Sequence, residues 1–242
     1  IYSDGRNPKD KTSLAVNRRE ARSARRRRDR LLQRKAKMMR LLVELGFFPK
    51  EKEKRKALEK LNPFEIRARG LDKQLQPEEF ARALFHLNQR RGFKSNRKTD
   101  KTQDDTGALK GAISVLRKTL EESKLRTVGE FLFQRMRDGQ TVRARYRERK
   151  KEVDGKKNKV EKFYDLYIDR QMVEEEFDAL WEKQQSFDMN LYSEETKKLL
   201  KDTLLFQRPL KAVKPGRCTF YPEEYRAPKA LPSFQYARIL QE

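Results

Sequence analysis

An uninterrupted stretch near the start of the chain constrains its fold more than any other feature. Residues 13–45 contain no glycine or proline, and Ser13 or Thr12 can serve as a helix N-cap. Gly46 follows where a C-terminal glycine belongs, and Pro49 prevents the helix from continuing. The sequence therefore predicts one helix of about 33 residues, roughly 50 Å long at 1.5 Å per residue.

The first half of this helix is saturated with arginine. Eight arginines occur in the thirteen residues 18–30, on almost every side of the helix, and across residues 18–40 twelve Lys and Arg are opposed only by Glu20 and Asp29. Like charges spaced i,i+4 destabilise an isolated helix, so an anionic partner is expected to compensate. The candidate binding residues are Arg18, Arg19, Arg22, Arg25, Arg26, Arg28, Arg30 and Arg34.

The second half of the helix carries apolar side chains that approximate one helical stripe. This half is therefore expected to dock on a protein core. The stripe consists of Leu31, Leu32, Met38, Met39, Leu42 and Leu45.

The charge of the whole chain favours a nucleic-acid partner. Sixty Lys and Arg against 37 Asp and Glu give a net charge of +23, which repels itself unless a polyanion neutralises it. Guanidinium groups bind phosphate bidentately, which favours RNA over an acidic protein, and a solvated charged helix is the competing interpretation. No run of 18 apolar residues occurs, and no amphipathic helix pairs a basic face with Trp or Phe anchors, so no membrane partner is expected.

Helical periodicity continues along most of the chain and predicts a mainly α fold. Pro77 fits the first position of a further helix. Between residues 161 and 202 twelve acidic residues outnumber six basic ones, and Glu174, Glu175 and Glu176 are interpreted as a solvated face. The positions expected to face a core are Phe80, Leu84, Leu87, Leu109, Ile113, Leu116, Leu120, Val173, Phe177, Leu180, Trp181, Leu199, Leu200, Leu204 and Leu205.

Two segments depart from the helical pattern. Residues 141–149 and 160–168 flank a lysine-rich Asp154-Gly155 loop, a pattern compatible with a small β-hairpin. The proline-rich tail is expected to be extended or looped. The expected division is an entry loop at 1–12, the arginine-rich helix at 13–48, a helical region at 49–206 and the Pro-rich connector at 207–242.

A second basic cluster follows the helix that begins at Pro77. Gly92 allows a sharp turn, and the polar side chains after it can donate to phosphate oxygens. Phe93 is interpreted as a core side chain in preference to one that stacks on a base. The candidate residues of this cluster, and of a third basic run at 207–211, are Arg90, Arg91, Lys94, Ser95, Arg97, Lys98, Arg208 and Lys211.

No catalytic or metal-binding set stands out in the sequence. One His and one Cys cannot assemble a zinc site, and Cys218 cannot form an internal disulfide, which favours the cytosol. His86 lies beside Leu84 and Leu87 and is interpreted as packed or phosphate-facing. Neither catalysis nor a cofactor is therefore expected here. Because the chain begins with Ile1, it is expected to be a piece of a longer protein.

Several segments together resemble one family, the compact RNA-guided type II CRISPR-associated endonucleases. Residues 13–26 (SLAVNRREARSARR) resemble the bridge helix of that family, and residues 83–98 (ALFHLNQRRGFKSNRK) resemble the sequence that opens its recognition lobe. The motifs TVGEFL at 127–132, QRPLK at 207–211 and GRC at 216–218 occur in the family's order. The resemblance covers nearly the whole chain.

The resemblance implies a bridge helix at 13–48, a recognition lobe at 49–206 and a connector at 207–242 that returns toward the nuclease lobe. It implies that the arginine helix grips seed phosphates of a guide RNA and links the two lobes. The later helices would hold the repeat–anti-repeat stem of the guide and the guide–target heteroduplex by their backbones. The implied partners are guide RNA, made of crRNA with tracrRNA, and target DNA, in the bacterial cytoplasm.

The resemblance also implies that cleavage happens elsewhere. The first RuvC aspartate is expected before Ile1, and neither an HNH nuclease module nor a PAM-reading domain is recognised in the chain. Magnesium is accordingly expected in other parts of the parent protein. Two alternatives stay open: a fragment that is itself a nuclease, against which the missing metal ligands argue, and a module whose basic surface binds a phage-encoded anti-CRISPR inhibitor.

Overall fold

The computed structural model describes residues 13–94, 108–143, 146–153, 156–164, 166–207, 216–217 and 225–226. Helices dominate these residues, which confirms the mainly α fold. In chain order the helices are α1 Leu14–Glu44, α2 Lys52–Ala57 with the 3-10 turn Leu58–Lys60, α3 Pro63–Arg69, α4 Pro77–Gln89, α5 Ala108–Glu122, α6 Val128–Arg137, α7 Arg170–Gln185 and α8 Glu194–Leu205.

The long helix α1 begins and ends close to where its sequence signals predict. The Ser13 side chain accepts a hydrogen bond from the Ala15 backbone N–H at 3.3 Å. Gly46, just past the last turn, has a φ of 79°, a left-handed conformation that glycine adopts without steric cost. At about 1.5 Å per residue, the 31 residues of α1 span roughly 46 Å.

The β-hairpin lies a few residues away from its predicted bounds. Strand β1, Tyr146–Val153, pairs antiparallel with strand β2, Lys156–Tyr164, and Tyr146 lies opposite Tyr164. The predicted Asp154-Gly155 loop lies outside the described residues. The strands extend further toward it than predicted, because the charged residues on either side of it pair with one another.

The chain divides into two compact units, residues 1–206 and residues 207–242. The second unit contains, among its described residues, a two-residue antiparallel pairing of β3, Gly216–Arg217, with β4, Tyr225–Arg226.

The main hydrophobic core lies between the second half of α1 and helices α3, α4, α7 and α8. Met38 and Leu42 of α1 are buried in it, which confirms that this half of the helix docks on protein. Aromatic rings fill its centre, where Trp181 lies 5.7 Å from Phe80 and 5.7 Å from Phe177, measured between ring centroids. The predicted core positions buried there are Phe80, Leu84, Leu87, Val173, Phe177, Leu180, Trp181, Leu200 and Leu204.

Three positions of the predicted apolar stripes are exposed instead. Leu31 and Leu32 are 36% and 50% exposed, because the docked face of α1 begins only at Arg34. Leu199 is 43% exposed, because Leu200 and Leu204, four residues apart, occupy the inward face of α8.

A second, smaller core joins α5, α6 and the start of α7. Leu116, Val128, Leu132 and Met172 are buried in it, with Ile113 and Leu120 packed against its edge. The side chain of Leu109 lies outside the described set. The α6 helix begins after Thr127, whose hydroxyl accepts a hydrogen bond from the Glu130 N–H at 3.3 Å.

A buried ion pair connects the two cores. Arg67 of α3 donates two hydrogen bonds to Glu176 of α7, with Nε 2.5 Å from Oε1 and Nη2 2.6 Å from Oε2. The same carboxylate accepts a hydrogen bond from the Gly129 N–H of α6 at 3.0 Å, and Arg67 Nη1 donates to His86 Nδ1 of α4 at 3.2 Å. Four helices therefore meet at one carboxylate and one guanidinium.

The interpretation of Glu174, Glu175 and Glu176 as one solvated face is wrong for Glu176. That side chain is fully buried, whereas the Glu174 and Glu175 side chains are 43% and 54% exposed. Glu176 lies on the inward side of α7, three residues after Val173, and Arg67 neutralises it there. Of the two interpretations of His86, packed or phosphate-facing, the structure supports the first, because its side chain is buried.

Removal of the Glu176 charge should destabilise the fold strongly. In Glu176→Gln the Arg67 guanidinium stays buried without its counter-charge, which costs about 3–5 kcal/mol. The matched control Glu175→Gln changes the neighbouring, half-exposed residue and should cost less than about 0.5 kcal/mol. Urea unfolding of both variants measures the difference, and equal losses of stability would contradict this role of the ion pair.

His86 should make the stability of the fold depend on pH. Burial and then the positive charges of Arg67, Arg90 and Arg82 lower the pKa of His86 from 6.5 to about 3. The folded state therefore keeps His86 neutral, and its contribution is fully present above pH 6.5 and is lost as the pH falls toward 3.

Between pH 7 and pH 5 the His86 side chain takes up a proton in the unfolded state but not in the folded state. This should lower the free energy of unfolding of the wild-type protein by about 2 kcal/mol. His86→Gln should lack this part of the pH dependence, whatever its stability at pH 7. Urea unfolding of both proteins at the two pH values measures it. Identical pH dependence in wild type and variant would show that His86 is not the titrating group.

Candidate nucleic-acid interface

The arginine-rich half of α1 is exposed along its length. Every residue from 17 to 33 is exposed, including the predicted binding residues Arg18, Arg19, Arg22, Arg25, Arg26, Arg28 and Arg30. Within the described part of the chain none of these arginines forms an ion pair.

The side-chain hydrogen bonds of two arginines in this half of the helix are local. Arg19 Nε donates to the Ala15 carbonyl and Arg27 Nε to the Ser23 carbonyl, each at 3.4 Å and each one turn earlier. These bonds hold the stems of the two side chains along the helix, and a backbone carbonyl does not neutralise a guanidinium charge. Such a surface can bind a polyanion through many forked donors at once.

Arg34 differs from the other predicted residues of α1, because it contacts protein. Its Nε donates to the Asn88 carbonyl at 3.3 Å and to Asn88 Oδ1 at 3.2 Å, and its Nη2 donates to the same carbonyl at 3.2 Å. Asn88 is fully buried near the end of α4. Arg34 therefore fixes α1 to the C-terminal end of α4, and docking of α1 begins at this residue.

The basic cluster after α4 forms a sharp turn that is bound to the start of α7. Gly92 has a φ of 74°, and a Cβ at this position would lie 2.2 Å from the Asp169 carbonyl oxygen. The Phe93 N–H donates to the Ile168 carbonyl at 3.0 Å, and the Arg170 N–H donates to the Phe93 carbonyl at 2.7 Å. Only glycine allows this close approach of the two backbones.

The interpretation of Phe93 as a core side chain is wrong. Phe93 is 38% exposed, and its ring packs edge-on against Tyr167 with 6.0 Å between the centroids. Its backbone is what is held in place, through the two hydrogen bonds to the α7 entry. The partly exposed ring lies between Arg91 and Lys94 in sequence.

Arg91 and Arg170 both reach the C-terminal end of α8. Arg91 Nη1 donates to the Phe206 carbonyl and, at 3.5 Å, to the Leu204 carbonyl. Arg170 Nη1 donates to the Leu205 carbonyl at 3.1 Å. Free carbonyls at a helix C-terminus carry partial negative charge, which explains why guanidinium groups collect there.

The charges of Arg91 and Arg170 affect the pKa of Arg34, and the charge of Arg91 affects the pKa of Arg170. Burial and then the charges of Arg91 and Arg170 lower the pKa of Arg34 to about 10. Burial and then Arg91 lower the pKa of Arg170 to about 10. Both therefore remain charged at neutral pH. Sequence reasoning missed Arg170, because its position in the acidic segment gave no sign that it lies beside two other arginines.

Further cations act on Arg90 and His86. Burial and then Arg143 and Arg67 lower the pKa of Arg90. Burial lowers the pKa of Arg82, which lies one turn before His86 on α4, although Glu59 opposes the shift. Sequence reasoning singled out Arg90 but neither Arg82 nor Arg143.

Of the remaining predicted residues, only Lys94 lies within the described residues. Lys94 is exposed at the end of the described part of the turn. Ser95, Arg97, Lys98, Arg208 and Lys211 lie outside the described residues.

The part of the chain that the structure describes offers neither a metal site nor a membrane span. No group of three His, Cys, Asp or Glu side chains there could hold a metal ion. No helix among those residues is both long and apolar enough to span a bilayer. The expected lack of a metal or cofactor stays a prediction.

Curated proteins similar to this chain include two bacterial enzymes. The CRISPR-associated endonuclease Cas9 of Campylobacter jejuni is 30% identical over 247 residues, which cover 96% of this chain and 23% of that protein. The Cas9 of Staphylococcus aureus is 31% identical over 177 residues, which cover 70% of this chain and 16% of that protein. The chain thus spans less than a quarter of either relative. No protein-family model matches it.

Solved structures share the fold. The Campylobacter jejuni Cas9 structure in complex with sgRNA and target DNA matches with a TM-score of 0.65 and 26% identity, over 96% of this chain and 30% of that chain. The dimeric assembly of St1Cas9 with sgRNA, tDNA20 and AcrIIA6 matches with a TM-score of 0.64 and 22% identity, over 90% of this chain and 27% of that chain. The second match supports the fold alone.

A side chain at position 92 should detach the basic turn. In Gly92→Ala the new Cβ would meet backbone atoms of Asp169, in addition to the strain of a positive φ. Gly139→Ala is a matched control, because Gly139 also has a positive φ, of 67°, and no atom lies within 4 Å of its Cβ position. The strain alone costs about 1–2 kcal/mol, so Gly92→Ala should lose clearly more stability in urea unfolding. Equal losses of stability would mean that the close backbone contact between Gly92 and Asp169 does not hold the turn against the start of α7.

Proposed function

We propose that this chain, which is homologous to a segment of the CRISPR-associated Cas9 endonucleases, binds guide RNA and the guide–target heteroduplex for its parent protein. The observation that carries the proposal is the continuous surface of exposed arginines on α1, which form no ion pair within the described part of the chain. A polyanion supplies the missing counter-charge. RNA phosphates fit the forked geometry of guanidinium groups.

The two halves of α1 have different roles: the first half binds RNA, and the second half positions the helix. The second half is fixed by Met38 and Leu42 in the core and by Arg34 on α4, so the arginine-rich half projects in a defined direction. A pre-positioned helix loses little conformational freedom when it binds. We propose that α1 is the bridge helix that links the two lobes and contacts the seed phosphates of the guide.

Two kinds of support favour RNA as the partner. The first half of α1 carries exposed arginines on nearly every side of the helix. This arrangement suits phosphates that surround the helix better than it suits a single flat acidic patch. Similar structures include Campylobacter jejuni Cas9 in complex with sgRNA and target DNA. We propose crRNA with tracrRNA as the guide, target DNA within the heteroduplex as the second partner, and the bacterial cytoplasm as the location.

We further propose that this segment does not cleave nucleic acid. It supplies binding and preorganisation, and magnesium-dependent cleavage belongs to other parts of the parent protein. In support, no group of three His, Cys, Asp or Glu side chains among the described residues could hold a metal ion.

An inhibitor protein is the second candidate partner. An acidic protein could use the same exposed arginines of α1, because they form no ion pair within the described part of the chain. Such a protein would exclude guide RNA from α1, so competition between the two for this chain distinguishes a shared site from separate ones.

Binding of guide RNA should weaken steeply with salt, and the arginines of α1 should set the slope. Neutralising Arg22, Arg25 and Arg26 together to Gln should reduce the slope of log K against log salt by about 0.7–0.9 for each phosphate that the variant no longer neutralises. These side chains are exposed, so the fold should survive. The readout is a titration of the 242-residue chain with cognate guide RNA at several salt concentrations.

A matched control removes three charges from elsewhere on the same molecule. Lys52, Lys54 and Lys56 of α2 are exposed and have acidic neighbours in Glu51 and Glu53, so their neutralisation to Gln should leave the slope nearly unchanged. A flat plot for the wild-type chain would contradict RNA binding through phosphates. Equal slopes for the two triple variants would contradict the assignment to α1.

A further inference from the structure

The side chain of Asp169 joins two helices at the point where the basic turn, residues 90–94, is bound. Asp169 is the N-cap of α7, and its Oδ1 accepts a hydrogen bond from the Met172 N–H at 2.7 Å. Its Oδ2 accepts one from Arg117 Nη2 of α5 at 2.9 Å. Both oxygens of this carboxylate therefore have a partner, one within α7 and one on α5.

The backbone around the same residue holds the basic turn. Gly92 approaches the Asp169 carbonyl so closely that a Cβ at position 92 would overlap it. On either side of Asp169, the Ile168 carbonyl accepts a hydrogen bond from the Phe93 N–H, and the Arg170 N–H donates one to the Phe93 carbonyl. The turn is thus bound to residues 168–170, and the central side chain of these three is the one that α5 and the first turn of α7 fix.

Arg117 is a well-anchored partner for this carboxylate. The residue before it, Leu116, is buried in the second core, so α5 has a fixed position beside the start of α7. The hydrogen bond to Asp169, and then the negative charges of Asp169, Glu175 and Glu121, raise the pKa of Arg117, although burial opposes the shift. An ion pair whose side chains are 36% and 19% exposed adds little stability of its own, so its main effect is to orient the carboxylate.

We propose that Asp169 is a positioning residue for RNA binding by the basic turn, through its cap on α7 and its ion pair with Arg117. The inference rests on the proposed function. Without these two contacts, residues 168–170 are held less firmly, and the basic turn loses its fixed position with them. RNA then has to order the turn as it binds, which lowers affinity. A carboxylate repels phosphate, so Asp169 acts on RNA through the position of the turn.

The matched control for Asp169→Ala is Ser193→Ala, which removes the cap of the neighbouring helix. Ser193 Oγ accepts from the Thr196 N–H at 3.3 Å, at the opposite end of α8 from the carbonyls that Arg91 binds. The two variants should lose similar global stability, because Asp and Ser are comparable N-caps. A difference between them at the basic turn therefore reports on the turn itself.

Amide hydrogen exchange and guide-RNA titration of these variants test the role of Asp169. Exchange of the Phe93 and Arg170 amides should be about fivefold faster in Asp169→Ala than in Ser193→Ala, the change expected from the loss of one cap. Guide RNA should bind Asp169→Ala about three- to fivefold more weakly than Ser193→Ala. Asp169→Asn keeps an oxygen for the Met172 N–H and loses the ion pair, so it should recover part of both changes.

Failure of this role and failure of the proposed function give different results. A wild-type chain that does not bind guide RNA would contradict the proposed function. Wild-type binding together with equal exchange in Asp169→Ala and Ser193→Ala would show that Asp169 is an ordinary helix cap. Faster exchange without weaker RNA binding would also overturn the positioning role, because release of the turn would then not affect RNA.

A second pair of variants tests the same role if Asp169→Ala does not fold. Arg117→Gln removes the ion pair with Asp169 and should speed exchange of the Phe93 amide about twofold. Arg126→Gln is its control, because Arg126 pairs with Asp72 and Glu130 instead. Equal exchange of the Phe93 amide in these two variants would overturn the role of the Asp169–Arg117 pair.

Discussion

The buried carboxylate of Glu176 holds together the parts of the fold that position the basic surfaces. Arg67 and the Gly129 N–H bind it, and His86 accepts a further hydrogen bond from Arg67. This network fixes α3, α4, α6 and α7 relative to one another. Since α4 leads into the turn at Gly92 and its end receives Arg34, the network also determines where the turn and α1 lie.

The arginines of this chain differ in whether protein groups of opposite charge bind them. Arginines within the fold bind carboxylates, as Arg67 and Arg126 do, or helix-end carbonyls, as Arg91 does. Within the described residues, the arginines of the first half of α1 form no ion pair. Positive charge is therefore concentrated where protein contacts are fewest, which is what a phosphate-binding surface needs.

Local signals predicted the helices of this chain better than they predicted its polar contacts. The bounds of α1 and α4 follow from Ser13, Gly46 and Pro77, which act within a turn of their own positions. The role of Glu176 depends on Arg67, which is 109 residues away, and a run of three glutamates gives no sign of it. Arg170 escaped notice for the same reason, because its neighbours Arg34 and Arg91 come from other elements.

Amide hydrogen exchange along α1, with and without cognate guide RNA, tests the central claim most directly. Exchange in residues 17–33 should slow when RNA binds, because phosphates cover an exposed and self-repelling helix. Exchange around Met38 and Leu42, which the core already protects, should change little. RNA binding that leaves exchange in residues 17–33 unchanged would contradict the assignment of RNA binding to α1.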